Sequence, residues 1–221
     1  MHVRWRRQQL ALFLPAGLCI LLYLIRVIHT RDWTDWFLIE NLSLAYLPLG
    51  FSALLVKNLK RWPWFSLPNL ALSALWLIFL PNAWYVLTDY VHTSPTGQIN
   101  QLYDIVFVTS LVIAGFIAGF TSLRMVHKEL LKRLEFKTCT AVIALILFIS
   151  SFAIYVGRDL RWSSWDVVSN PGGIALDVSD RVIHPLGHPS SWNMTGSVFL
   201  LLVTLYASLW LWLESAKQKR N

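Results

Sequence analysis

Six apolar segments, each long enough to cross a bilayer, leave this chain little choice of fold. They run over 10–28, 36–56, 70–90, 102–123, 138–157 and 195–213. A helix needs about 20 residues to cross about 30 Å of hydrocarbon, and lipid offers backbone polar groups no partner. The predicted fold is therefore all-α: a polytopic bundle of six transmembrane helices, forming a single integral membrane domain over 1–221. Hydrophobic residues make up 56% of the chain and charged residues 14%, outside the soluble range. Six spans and their loops leave no length for a separate soluble domain.

Charge orients the bundle. When the connecting stretches are assigned alternately to two sides, one side holds Arg4, Arg6, Arg7, Lys57, Lys60, Arg61, Arg124, Lys128, Lys132, Arg133, Lys137, Lys217, Lys219 and Arg220. The other keeps Arg26, Arg31, Arg158, Arg161 and Arg181. The positive-inside rule then predicts both termini in the cytoplasm. The net charge of +7 does not point to nucleic acid, because no basic face exists apart from the spans. It suits contact with anionic lipid headgroups. The first span follows a basic stretch as a signal peptide does, but it is long and lacks a small-x-small cleavage site, so a retained anchor is expected. Cys19 and Cys139 fall at different depths and read as buried thiols. Trp33, Trp36, Trp62, Trp64, Trp162, Trp165 and Trp192 lie beside span ends, as an interfacial aromatic belt does.

Between spans four and five, the stretch 123–137 reads as amphipathic, with Met125, Leu130, Leu131 and Leu134 toward lipid and Lys128, Lys132 and Arg133 toward water. Gly115 and Gly119 make a GxxxG spacing, expected to serve packing within the monomer. The connection from Arg158 to Asn193 is the long one. Asn170-Pro171-Gly172-Gly173 reads as a turn. A short amphipathic surface helix should follow, with Ile174, Val178 and Val182 on one side and Asp177, Asp180, Arg181 and His184 on another. No internal repeat is visible.

Ionisable groups inside a membrane are costly, so those that persist are informative. Here they gather toward the external ends of the spans. Pro81 should kink the third span. Asn82, Tyr85, Asp89 and His92 then follow at spacings that line one helical face. Glu40, Asn41 and Ser43 open span two, and Tyr103-Asp104 opens span four. Ser151, Tyr155 and Arg158 share a face at the end of span five, followed by Arg161 and Asp166. Arg158 and Arg161 are expected counter-ions for Glu40, Asp89 and Asp104, since guanidinium pairs carboxylates bidentately. Plainer readings stand beside these. Asn82 satisfies carbonyls freed by Pro81, Asp89 and His92 end a helix in headgroup water, the two arginines anchor a helix end, and His184 and His188 are solvated.

The strings Pro81-Asn82-Ala83-Trp84-Tyr85 with Thr88-Asp89 and His92, and Tyr155-Val156-Gly157-Arg158 with Arg161-Trp162-Ser163-Ser164-Trp165-Asp166, resemble a family of bacterial multi-pass membrane proteins of unknown function. Glu40-Asn41-Leu42 with Leu47-Pro48 resembles its earlier motif. The family often has Pro where Trp84 stands and Asn where Ser163 stands. The resemblance covers nearly the whole chain and implies a bacterial cytoplasmic-membrane protein, with no activity attached.

Three classes of function fit the sequence. The first is an outward-facing membrane enzyme, a hydrolase or transferase on a lipid or lipid-linked substrate. Asp89, His92, Glu40, Asp104 and Asp166 would be its acid, base or divalent-metal ligands. Arg158, Arg161, Asn82, Tyr85 and Tyr155 would bind substrate. The second is a small-molecule or ion transporter, which the apolar inner halves of spans two, three and five disfavour. The third is a non-catalytic assembly partner. Membrane lipids are the expected partners of all three; oligomeric state stays open.

Overall fold

The computed structural model describes residues 2–93 and 100–218, with side chains over 10–93 and 100–216. The basic side chains of Arg4, Arg6, Arg7, Lys217, Lys219 and Arg220, and the middle of the loop at 94–99, lie outside the described residues. Among those described there are no strands. The helices are α1 (His2–Thr30), α2 (Trp36–Asn58), α3 (Leu67–Phe79), α4 (Asn82–Tyr85), α5 (Gln101–Leu130), α6 (Phe136–Asp159), α7 (Asp166–Ser169), α8 (Pro171–Ile183) and α9 (Pro189–Gln218). Short 3-10 helices cover Val86–His92 and Pro185–Gly187. Six stretches are long and apolar enough to cross a membrane: Leu10–Thr30, Trp36–Asn58, Leu67–His92, Gln101–Leu130, Phe136–Asp159 and Pro189–Ala216. The predicted all-α, six-span class holds. The chain falls into two compact units, Met1–Glu129 and Leu130–Asn221.

In the first unit, Cys19, Tyr23 and Val27 of α1 pack with Leu38, Leu42 and Ala45 of α2, Val86, and Phe107, Leu111 and Ala114 of α5. Tyrosines fasten α1: Tyr46 donates to the Leu12 carbonyl at 2.7 Å and Tyr103 to the Leu22 carbonyl at 2.6 Å. The α2–α3 turn is held by buried Asn69, whose amide donates to the carbonyls of Trp62 and Pro63. Ser122 of α5 accepts from the Trp76 indole at 2.8 Å and donates to the Pro48 carbonyl at 2.9 Å, so one hydroxyl joins three helices.

The third span departs most from its expected shape. Pro81 has no N–H to continue α3, which stops at Phe79. The Asn82 amide donates to the Phe79 carbonyl at 3.1 Å, and the Ala83 N–H turns to Leu80. A 3-10 helix then brings Val86, Asp89 and His92 onto one face at three-residue spacing. The α-helical stripe through Tyr85 is therefore broken, because each 3-10 turn holds fewer residues. The close approach explains the glycines. A Cβ on Gly115 would sit 2.4 Å from the Ala83 carbonyl oxygen, and one on Gly119 would sit 2.8 Å from both the Ala83 Cβ and the Trp84 indole nitrogen. The GxxxG spacing serves packing inside the chain, as expected.

α5 continues to Leu130, so the first half of the expected amphipathic stretch is an extension of the fourth span. A turn of a few residues follows it before α6. Leu123, Val126, His127 and Glu129 are the buried residues of that extension.

In the second unit, α6 and α9 lie antiparallel. Phe152 stacks on Trp192, and Phe148 meets Phe199 edge-on. Ser150, Ser151, Ser191 and Thr195 are all fully buried, small residues that let helices approach. Cys19 and Cys139 are both buried free thiols, as expected. Trp33, Trp36, Trp62 and Trp165 are exposed at span ends.

Candidate functional site

Each unit carries its own polar cluster. That of the first unit forms where α1 stops, α2 starts, α5 starts and the 3-10 helix ends. Arg26 of α1 is its centre, with a side chain 7% exposed. Its Nη1 lies 2.6 Å from Asp35 and its Nε 3.0 Å from Asp104. Asp104 is as deeply buried as Arg26, whereas Asp35 sits nearer the boundary at 21%. One guanidinium thus serves two carboxylates and holds the starts of α2 and α5 to the end of α1. Beside this triad, the Asn41 amide donates to both oxygens of Asp89, at 3.0 and 3.2 Å. Asp89 is 3% exposed. His92 is exposed and meets the Phe37 ring edge-on.

This geometry corrects one expectation. Asp104 takes Arg26 as its cation, where Arg158 or Arg161 was expected. Asn41, read only as a polar residue of span two, donates to Asp89. Glu40 is exposed on α2, one position round from Asn41. Asn82 serves the Phe79 carbonyl, which is its plainer reading. Tyr85 is half-buried.

The cluster of the second unit is built on the long connection between α6 and α9. Arg161 takes a left-handed backbone, with φ of 62°. The Trp162 N–H turns back to the Val156 carbonyl, closing the end of α6. Asp166 organises the next turn: one oxygen accepts from the Ser163 N–H at 2.7 Å and its hydroxyl at 2.8 Å, the other from Ser169. These hydrogen bonds, the Ser163 N–H first, hold the Asp166 carboxyl below its ordinary range. This is a capping arrangement.

Asn170 then caps α8. Its side-chain oxygen accepts from the Gly173 N–H at 3.1 Å, and Pro171 occupies the first turn. The expected turn at 170–173 is thus a helix start. Gly173 lies against Trp162, where a Cβ would come 2.7 Å from the ring. The Trp162 indole donates to Asp177 at 2.7 Å. Arg181 contacts Asp177 at 3.4 Å and Asp180 at 3.6 Å, and its Nη1 donates to the Asp177 carbonyl at 2.9 Å. The face of α8 turned inward carries Asp177 and Arg181 beside Ile174 and Val178, the reverse of the expected separation. The Trp162 indole, bonded to Asp177, draws it that way.

Asp180 lies at the edge of this face. One carboxylate oxygen is 3.1 Å from His184 Nδ1, the other 2.9 Å from His188 Nε2. His184 is solvated as expected, at 67% exposed, and His188 is half-buried; both also contact a common carboxylate. The hydrogen bonds from His184, then His188, keep Asp180 below its ordinary range. An ionised carboxylate only accepts, so each bonded ring nitrogen must carry the proton. In the neutral rings, His184 Nε2 and His188 Nδ1 are left as bare acceptors. Arg158 is half-buried at the end of α6 and Arg161 is exposed. Among the described residues, no three His, Cys, Asp or Glu side chains are grouped so that they could hold a metal ion.

A family model described as a protein of unknown function, DUF1361, matches residues 40–212. The chain belongs to the DUF1361 family. That match spans α2 through most of α9, and with it Asn41, Asp89 and Asp104 of the first cluster and all the residues of the second. Arg26 and Asp35 precede it. Comparison of this DUF1361 chain with curated proteins and with solved structures finds no match.

The sequence signal that could have found Arg26 was its position: an arginine within two turns of the end of an apolar span needs a partner. No sequence signal told which of several carboxylates would supply it.

Proposed function

We propose that this DUF1361 protein is a bacterial cytoplasmic-membrane enzyme, a hydrolase or transferase acting on a lipid or lipid-linked phosphate at the outer leaflet. The observation that carries the reading is the Asp180 carboxylate held between two imidazoles. A carboxylate that fixes the tautomer and orientation of a histidine is how a general base is prepared. His184 Nε2 would take the proton of an attacking water or hydroxyl.

Arg161 supplies the second support. Its left-handed backbone ends α6, as that of Arg31 (φ 55°) ends α1, so its support comes from its charge and place. An exposed guanidinium just beyond a span suits a headgroup phosphate. Arg158 and Tyr155 accompany it on the last turns of α6. Asp104 and Asp166 leave the acid–base set for structural duty, the first on Arg26 and the second on its capping turn. Asp89, His92 and Glu40 complete the polar groups of the same membrane side, opposite the basic loops that the positive-inside rule assigns to the cytoplasm.

The test is turnover. Purified protein in nanodiscs should release phosphate or headgroup from at least one member of a panel of phosphatidic acid, phosphatidylglycerol and polyprenyl phosphates. Asp180→Asn should abolish that release with folding unchanged. Release from no member, or equal release by Asp180→Asn, refutes the proposal.

A further inference from the structure

We infer that α8 is seated in the lipid interface by the face it turns away from α6, so that the connecting segment lies within the leaflet and not above it. Its exposed arc consists of Gly172, Ala175, Leu176, Val182 and Ile183, with half-buried Ser179 among them and exposed Asp180 at one edge. Leu176 is 74% exposed, Ile183 68% and, just beyond the helix, Leu186 96%. Leu176 and Ile183 are seven apart and share one line along the helix. A helix washed by water on that side would carry charge there. Here Arg181 is turned inward, with a side chain 14% exposed, while Asp177 lies off the arc and Asp180 marks its border.

What covers the arc follows from where the segment begins and ends. It leaves α6 at Asp159 and re-enters α9 at Pro189. Trp192 stacks on Phe152, so the last turns of α6 and the first turns of α9 lie side by side. Both ends of the segment are thus at one membrane boundary, which puts the apolar arc within reach of that leaflet. Interfacial helices bury an apolar face about 5–10 Å into the headgroup and acyl boundary. The occupant is the lipid of that leaflet. In this position Asp180, at the border of the arc, stands at headgroup depth. The seating does not depend on any chemistry at Asp180, and either can fail alone.

Spin labels test it in the full chain. Leu176→Cys and Ile183→Cys would each be labelled in nanodiscs of phosphatidylethanolamine and phosphatidylglycerol, with Ser190→Cys as the water-exposed comparison. Collision with oxygen relative to a water-soluble nickel chelate should be several-fold higher at 176 and 183 than at 190. Nickel access equal to that at 190 would put α8 in water. Exclusion of both oxygen and nickel would mean that protein, a second copy or the rest of the chain, covers the arc. Either result overturns the inference. A label-free check uses the unmodified protein in vesicles containing a phospholipid with a diazirine near its acyl carbonyl. Photo-adducts should map to the 171–186 peptide, and their absence there overturns the inference equally.

Discussion

Replacing Gly115 with alanine should loosen the first unit, and the size of the effect can be worked out. The new Cβ would meet the Ala83 carbonyl oxygen at 2.4 Å and Val86 Cγ2 at 2.7 Å. Ordinary contact begins near 3.4 Å. The backbone at Ala83 must therefore give by about 1 Å, yet it sits at the Pro81 break, fixed by its own N–H to Leu80 and by Asn82 on the Phe79 carbonyl. Overpacking of this kind costs about 1–3 kcal/mol, and the backbone contact favours the upper end. Alanine returns up to about 1 kcal/mol of helix propensity. The net loss should be about 1–2 kcal/mol. Gly17 of α1 and Gly50 of α2 are internal controls, because a Cβ there meets nothing within 4 Å. Alanine at either should be neutral or stabilising by a few tenths to about 1 kcal/mol. Equilibrium unfolding in mixed detergent micelles, following tryptophan fluorescence, would compare the three. Gly115→Ala as stable as Gly50→Ala would refute the close packing of α4 on α5.

Three further outcomes are expected. Arg26→Met leaves two carboxylates without their buried cation and should cost about 3–5 kcal/mol in the same unfolding assay, with Asp104→Asn added to Arg26→Met recovering part of the loss; equal stability of Arg26→Met and the unaltered protein would contradict the triad. Arg161→Gly relieves a left-handed arginine and should leave stability unchanged or raised by under about 1 kcal/mol, while turnover of the lipid phosphate falls; unchanged turnover would reduce Arg161 to a helix-end anchor. Asp166 and Asp180 both have carboxyl groups held below the ordinary 3.8, so their contribution is complete above that value and is lost as pH falls through the lowered folded-state value. Hydrogen exchange across 160–190, corrected for intrinsic rate, should therefore stay protected down to the ordinary carboxylate range and rise only below it; loss of protection already near pH 6 would contradict this.

The spans were legible because hydrocarbon thickness sets them directly, and the break at Pro81 because a missing N–H is a local fact. The 3-10 helix was not, since it follows from how closely Ala83 and Trp84 are drawn onto Gly115 and Gly119. Arg26 and Asp104 stand 78 residues apart, and spacing along the chain carries no signal for which arginine meets which carboxylate. The orientation of α8 was ambiguous in the same way. Ile174, Val178 and Val182 make one apolar line and Leu176 and Ile183 another, so the choice fell to Trp162, which offers a partner to Asp177. The histidines were read as solvated, as His184 is, but their shared carboxylate was not legible, because a loop residue has no periodicity to flag it and only the turn through Pro185–Gly187 returns His188 to Asp180.

The functional account requires each polar cluster to face away from the cytoplasm. Labelling of intact cells with a membrane-impermeant thiol reagent tests this most directly, using Thr34→Cys in the turn before α2 and Ser190→Cys at the start of α9. Both native cysteines are buried. The account predicts that both introduced cysteines react before the cells are opened, whereas Lys60→Cys in the α2–α3 turn reacts only afterwards. Protection of Thr34→Cys and Ser190→Cys until lysis, with Lys60→Cys reacting in intact cells, would place the clusters in the cytoplasm and contradict the account.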